Sequence, residues 1–204
     1  MFNWSVYSSS ALKTRPFSWA RVEETFRPEV ARLLSDQFPD KGLNETLNGD
    51  SSCEHIRRRT IVTEGRIKTG GPTLPEAWSE LMAVLISDRY VRAVEELAGR
   101  SLKGTLLNAR ICSQASGCPI PPHTDLPNRV VTQIIYLTPD WRSSWRGEID
   151  ILRSADPEDV AESLAPRFNS SVLIVRSDNS YHSVRRVSDL AAPRRSLLLK
   201  FLKS

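Results

Sequence analysis

The sequence predicts an α+β fold that is mainly β: a helical N-terminal layer set against an antiparallel sandwich or barrel. Three observations predict it. Apolar residues recur at helical spacing in two stretches before residue 100. From about Leu102 the texture changes to short runs rich in branched aliphatics, separated by turn signals. Six or more such runs follow one another with no long helix between them, which favours an antiparallel sandwich or barrel over a parallel sheet. At 204 residues the chain suits one domain over 1–204, with helical support in about 1–100 and the β core in about 102–204.

Taken in order, an early extended piece comes first, and RPEVARLLSDQFPD then places Pro28 at a helix start and repeats Val30, Leu33, Leu34 and Phe38 at helical spacing. LPEAWSELMAVLISDRYVRAVEELAGR reads as one or two amphipathic helices ended by Gly99. Between these stretches, Gly42 to Gly71 is polar and turn-rich, with NGD at Asn48–Asp50 and GGP at Gly70–Pro72. Segment 42–73 is therefore a candidate mobile loop or lid, with a plain surface loop as the alternative. The β-like runs are TLLNARICS, RVVTQIIYL, GEIDILR, SSVLIVRS, YHSVRRV and RRSLLLKFL. In GEIDIL, Ile149 and Ile151 face one way while Glu148, Asp150 and Leu152 face the other. The insertion ADPEDVAESLAPR is expected to form a short helix on the rim.

Composition narrows the partners. No run of about 18 apolar residues exists, so no membrane span is expected. The first fifteen residues lack the continuous apolar stretch of a secretory signal. Cys53, Cys112 and Cys118 are odd in number and form no C-x-x-C pair, which suits reduced thiols and a cytoplasmic setting. The net charge is +4 and the isoelectric point about 9.1, but the basic residues are scattered without a Lys/Arg block or interleaved aromatics. No nucleic-acid partner is expected. Arginines outnumber lysines 22 to six, a bias of GC-rich coding that mildly favours a bacterial biosynthetic enzyme. The oligomeric state is left open.

The stretch PPHTDLP puts His123 and Asp125 one residue apart, and chance readily supplies such a pair. At a strand end, however, the two side chains point the same way and converge on one ion. A facial iron site needs two neutral imidazoles and a carboxylate, leaving positions open for substrate-derived ligands and O2. His182, in SDNSYHSVRR, starts a candidate strand and can supply the second imidazole. His55, in the polar EHIRRR segment, reads as a solvated surface histidine. Arg194 and Ser196 stand two apart on the last predicted strand and so share a face, where an arginine fork and a hydroxyl suit a carboxylate. Tyr136, in IIYLTPDW, offers a third donor from another strand. The ordinary alternatives are a rim charge for Arg194 and a packed core aromatic for Tyr136. Two His and one Asp also suit zinc, which needs no Arg-x-Ser aimed at a carboxylate.

The order HTD, YLTPDW, RGEIDI, YHSV, RRSLLLKF resembles the Fe(II)/2-oxoglutarate-dependent oxygenase superfamily, in particular its prolyl-4-hydroxylase-like branch. The resemblance covers about Leu102 to Leu202. It implies a double-stranded β-helix (a jelly-roll, cupin-like core) flanked by N-terminal helices. It also implies Fe(II), 2-oxoglutarate and O2, with succinate and CO2 as co-products. His123, Asp125 and His182 match the iron ligands. Arg194 and Ser196 match the pair that binds the distal carboxylate of 2-oxoglutarate, and Tyr136 the aromatic beside it. Arg195 stays open as the alternative clamp. An aspartate at position 125 argues for hydroxylation, since halogenating members carry a small residue there.

Departures exist. Arg146-Gly147 stands where the family has two glycines, Thr138 replaces an asparagine, and Ser113 or Gln114 falls near a tyrosine of some prolyl hydroxylases. These bear against a specific assignment to protein prolyl hydroxylation. The expected substrate is a small molecule, an amino acid or natural-product intermediate, with an anionic or zwitterionic character. Asn108, Arg110, Gln114, Arg129 and Arg153 are its candidate contacts, although solvated strand-face polar groups are the ordinary reading for each. A peptide or protein prolyl-type hydroxylase and a non-catalytic cupin-like binder are the competing functions.

Overall fold

The computed structural model describes residues 1–43, 56–117 and 119–204. In chain order it places α1 (Trp4–Ser9), β1 (Leu12–Lys13), β2 (Trp19–Val22), α2 (Pro28–Asp36), β3 (Ile56–Thr63) and β4 (Arg66–Ile67). Then come α3 (Glu76–Leu85), α4 (Asp88–Ala98), β5 (Thr105–Gln114), β6 (Ile120–His123), β7 (Arg129–Tyr136) and β8 (Ile149–Leu152). The chain ends with β9 (Val160–Leu164), β10 (Ser171–Val175), β11 (His182–Val184) and β12 (Arg194–Lys203).

The helices sit where the sequence places them. Pro28 occupies the first turn of α2, where its missing N–H costs nothing. Ser87 caps α4 by accepting from the Tyr90 amide, and Gly99 ends it with φ +57, a left-handed conformation that favours glycine. Among the described residues, no helix is long and apolar enough to cross a membrane.

Two antiparallel sheets face each other. The larger runs β1-β2-β10-β7-β12-β5-β3-β4, and the smaller runs β6-β11-β8-β9. Together they form the double-stranded β-helix implied by the sequence, with the helices on the outer face of the larger sheet. Period-two alternation sorts the side chains. Leu197, Leu199 and Phe201 of β12, with Leu107, Ala109 and Ile111 of β5, join Trp78, Leu81, Tyr90 and Val94 in one core. Trp19, Tyr136, Ile149, Ile151, Val172, Ile174 and Val184 fill a second core between the sheets.

Three expectations are corrected. ADPEDVAESLAPR forms no helix: Val160–Leu164 is a strand paired to β8, with Leu164 opposite Ile149, so edge pairing overrides helix propensity. The helical half contributes more strand than the early extended piece expected there, since β1 and β2 lengthen the larger sheet at one edge and β3 and β4 at the other. Within segment 42–73, Ile56–Ile67 is a hairpin rather than a loop. Ile56, Ile61 and Val62 are buried while Arg57 and Thr63 point outward. The rest of that segment's proposed lid, residues 44–55, lies outside the described residues, as do His55, Cys53 and Cys118. Cys112 is a buried free thiol.

Candidate metal and co-substrate site

His123 is the last residue of β6 and His182 the first of β11, and the two are direct partners across that antiparallel pair. β6 is the edge of its sheet, which explains how Pro121 and Pro122 are tolerated without amide donors. Asp125 lies two residues past β6, turned back into the cleft and buried. Ligand atoms of His123, Asp125 and His182 all lie within 4.8 Å of one another.

Hydrogen bonds set the chemistry of each donor. Nδ1 of His123 lies 2.9 Å from the Pro121 carbonyl, and Nδ1 of His182 lies 2.9 Å from the Ser180 carbonyl. A carbonyl only accepts, so both Nδ1 atoms carry a proton, which leaves Nε2 as the atom of each ring that can face a metal. Burial, then the neighbouring His123, pushes His182 down to about 4, so it is a neutral imidazole at neutral pH. Burial alone would raise the Asp125 carboxyl. The Arg129 guanidinium, the Thr132 hydroxyl 2.5 Å away and the two imidazoles bring it below its ordinary value. Two imidazoles and one fixed carboxylate on one side fit an Fe(II) ion and leave its other side open.

Behind this cluster, Arg194 is buried on the cleft face of β12. Its Nη1 donates to Gln114 Oε1 (3.1 Å) and its Nη2 to the Tyr136 hydroxyl (3.3 Å), while its Nε has no partner. A buried cation with only neutral acceptors and one open N–H fits an incoming carboxylate. Ser196 lines the same cavity of about 350 Å³, with the three cluster residues. Gly147 makes this packing possible. A Cβ there would stand 3.0 Å from Val187, 3.2 Å from Trp141 and 3.5 Å from the Arg194 stem.

Arg195 turns to the opposite face, where it pairs with Asp40 and lies over the Phe38 ring. Of the proposed substrate contacts, Gln114 and Arg129 line the cavity, and Arg110 occupies the cleft face of β5 opposite Leu198. Asn108 and Arg153 do not meet the expectation. Asn108 accepts from the Glu64 amide at 2.7 Å and holds the β3–β4 turn. Arg153 is exposed and binds Asp159 and the Val160 carbonyl at the far edge of the smaller sheet. Sequence reasoning missed Arg58, Thr132 and Lys200, which line the cavity. For Lys200 the signal was there: it stands six residues after Arg194 and shares its strand parity.

A jelly roll bearing two imidazoles and a carboxylate beside a buried arginine has the build of a mononuclear non-haem metal enzyme. Residues 111–200 match the family model of the 2OG-Fe(II) oxygenase superfamily. The chain therefore carries a 2OG-Fe(II) oxygenase domain and is a dioxygenase whose cofactors are Fe(II), 2-oxoglutarate and O2.

Solved structures give the same fold. A prolyl-4-hydroxylase from Pseudomonas putida superposes with a TM-score of 0.67 at 16% identity, covering 91% of this chain and 92% of that one. A Trichoplax adhaerens prolyl hydroxylase in complex with a hypoxia-inducible-factor peptide gives 0.65 at 16% identity, over 91% and 83%. An α-ketoglutarate-dependent epimerase from nogalamycin biosynthesis gives 0.56 at 14% identity, over 98% and 79%. No curated protein matches the sequence significantly.

Proposed function

We propose that this dioxygenase hydroxylates an unactivated C–H bond of a small molecule, an amino acid or natural-product intermediate. The observation that carries the reading is one cavity holding both the His–Asp–His cluster and the partly unsatisfied Arg194. In it His123, Asp125 and His182 hold Fe(II), while Arg194, Ser196 and Tyr136 hold the distal carboxylate of 2-oxoglutarate. When bound, the iron, the diacid and O2 supply the oxidising chemistry, with succinate and CO2 as co-products.

The chain's own residues do the positioning. The Pro121 and Ser180 carbonyls fix both imidazole rings, and Arg129 with Thr132 fixes the carboxylate. Ile120, Ile134, Ile149, Val184 and Leu198 give the cavity apolar walls that exclude water from the reacting carbon. A cavity of this volume suits a small ligand beside the diacid. Likeness of fold to an enzyme from nogalamycin biosynthesis is consistent with that class.

Peptide prolyl hydroxylation is the second reading, favoured by the likeness of fold to the two prolyl hydroxylases. Succinate release separates the readings. Stimulation by free amino acids or natural-product intermediates supports the first, stimulation only by proline-containing peptides supports the second, and none under any substrate supports a cupin-like binder. Anaerobic titration with Fe(II) and 2-oxoglutarate should produce a weak visible charge-transfer band. The band should vanish in His182→Ala and persist in His55→Ala; loss in both would sink the ligand assignment.

A further inference from the structure

The cleft face of β12 carries Arg194 at one end and Lys200 at the other, six residues apart, a run of about 20 Å at strand rise. A five-carbon diacid anchored at Arg194 spans less than half of that run, so one co-substrate cannot serve both cations. Lys200 is register partner to Thr132, whose hydroxyl donates to Asp125. The second cation therefore lies beside the metal cluster, on the side away from Arg194.

Lys200 is not alone. Arg110 pairs with Leu198 on the neighbouring strand, and since Ala109 and Ile111 point into the helix-side core, Arg110 faces the cleft. Arg129 lines the same wall. Burial first, then the Arg129, Arg110 and Arg58 cations, outweigh the attraction of the Asp125 carboxylate and push the Lys200 ammonium down to about 8. Among the described residues Arg129 takes Asp125 as its ion-pair partner, while neither Lys200 nor Arg110 makes a salt bridge. Loading the site does not change this, because a divalent iron and a dianionic co-substrate cancel. Half-buried cations left unpaired are costly unless something anionic arrives.

We propose that Lys200 and Arg110, with Arg129 at the edge, form a second anion subsite that takes a carboxylate or phosphate of the substrate. The subsite holds the substrate's reacting carbon over the His–Asp–His cluster. This rests on the small-molecule oxygenase reading and deepens it, since a peptidyl proline has no charge to offer there.

Sulfate serves as the probe, titrated into the anaerobic Fe(II)- and 2-oxoglutarate-loaded protein and read as the rise in Tm. The wild type should show a saturable rise. Lys200→Met and Arg110→Met should each weaken it about tenfold, the loss of one charge-assisted contact. Lys200→Arg should restore it, and the charge-transfer band should be unchanged throughout. An equal sulfate response in wild type and both Met variants, or none in the wild type, overturns the subsite. A missing band in the wild type with the Lys200-dependent response intact instead overturns the cofactor reading and leaves the anion site standing. Succinate release from carboxylic acids against their carboxamides, and from phosphate monoesters against the free alcohols, identifies which oxyanion is used.

Discussion

Along β12, Leu197, Leu199 and Phe201 are buried against the helices with exposures of 0, 0 and 2%. The alternate residues Arg194, Ser196, Leu198 and Lys200 face the cleft. Each face also holds one buried polar centre, and the two are built differently. On the helix face, Gln133 accepts from the Tyr90 hydroxyl (2.9 Å) and donates to the Tyr7 hydroxyl (2.5 Å) and Ser171 (2.9 Å). Burial raises both tyrosines well above their usual range, so they stay neutral donors or acceptors. On the cleft face, Arg194 keeps an unpartnered Nε, and among the described residues Lys200 makes no salt bridge. A satisfied network fixes a structure, whereas unsatisfied cations around a cavity wait for ligands.

If the two faces divide stability from chemistry in this way, variants should separate them. The largest effect belongs to His182→Ala: succinate formation falls at least about a thousandfold, more than 4 kcal/mol of barrier, with iron stoichiometry near zero. The fold survives, since a buried imidazole is removed rather than a charge. Unfolding of this variant would break the comparison. Phe201→Ala is its mirror image, costing about 3–5 kcal/mol in urea unfolding while iron binding and the charge-transfer band persist in the folded protein. Loss of iron from a still-folded Phe201→Ala would mean that the faces are coupled.

Arg194 and Arg195 sharpen the comparison within two adjacent residues. Arg194→Met should raise the 2-oxoglutarate Kd by about tenfold to a hundredfold, the worth of a charge-assisted pair. Arg195→Met, which loses only the Asp40 pair and the Phe38 contact, should leave it nearly unchanged. Anaerobic titration of the band reads both, and equal effects would refute the carboxylate clamp.

Much of this was legible in the sequence where pattern and burial agree. Helices α2 to α4 and the strands β5, β7 and β12 follow from periodicity and strand parity, whereas joining His182 to His123 and Asp125 rested on the family resemblance. What escaped was decided by partners distant in the chain. β9 reads as helical because its residues favour helix locally, and only pairing with β8 makes it a strand. β3 hides behind the charged IRRRT, although it pairs along β5. Asn108 and Arg153 have residue types suited to a substrate, but each is held by a hydrogen bond that no spacing rule reveals, Asn108 to the distant Glu64 and Arg153 to the nearby Val160. Lys200 was readable from its parity with Arg194, yet the cations gathered around it needed the packed sheet.

The last expected effect is on stability, at Lys200. Its folded value of about 8 lies below the usual 10.5, so between these the unfolded chain binds a proton that the folded chain sheds. The cost of burying the ammonium is thus complete below about pH 8 and fades as pH rises toward 10.5. Lys200→Met should accordingly be more stable than wild type at pH 7, by on the order of 1–3 kcal/mol. The gap should close by about pH 10 in urea titrations. Sulfate should narrow it at pH 7 by stabilising the wild type alone. A gap that ignores pH, or a wild type more stable than the variant, would place Lys200 with the structural residues of the helix face. The expected result would instead mark it as a cation kept in the cleft despite destabilising the empty protein, which is what a ligand-binding position requires.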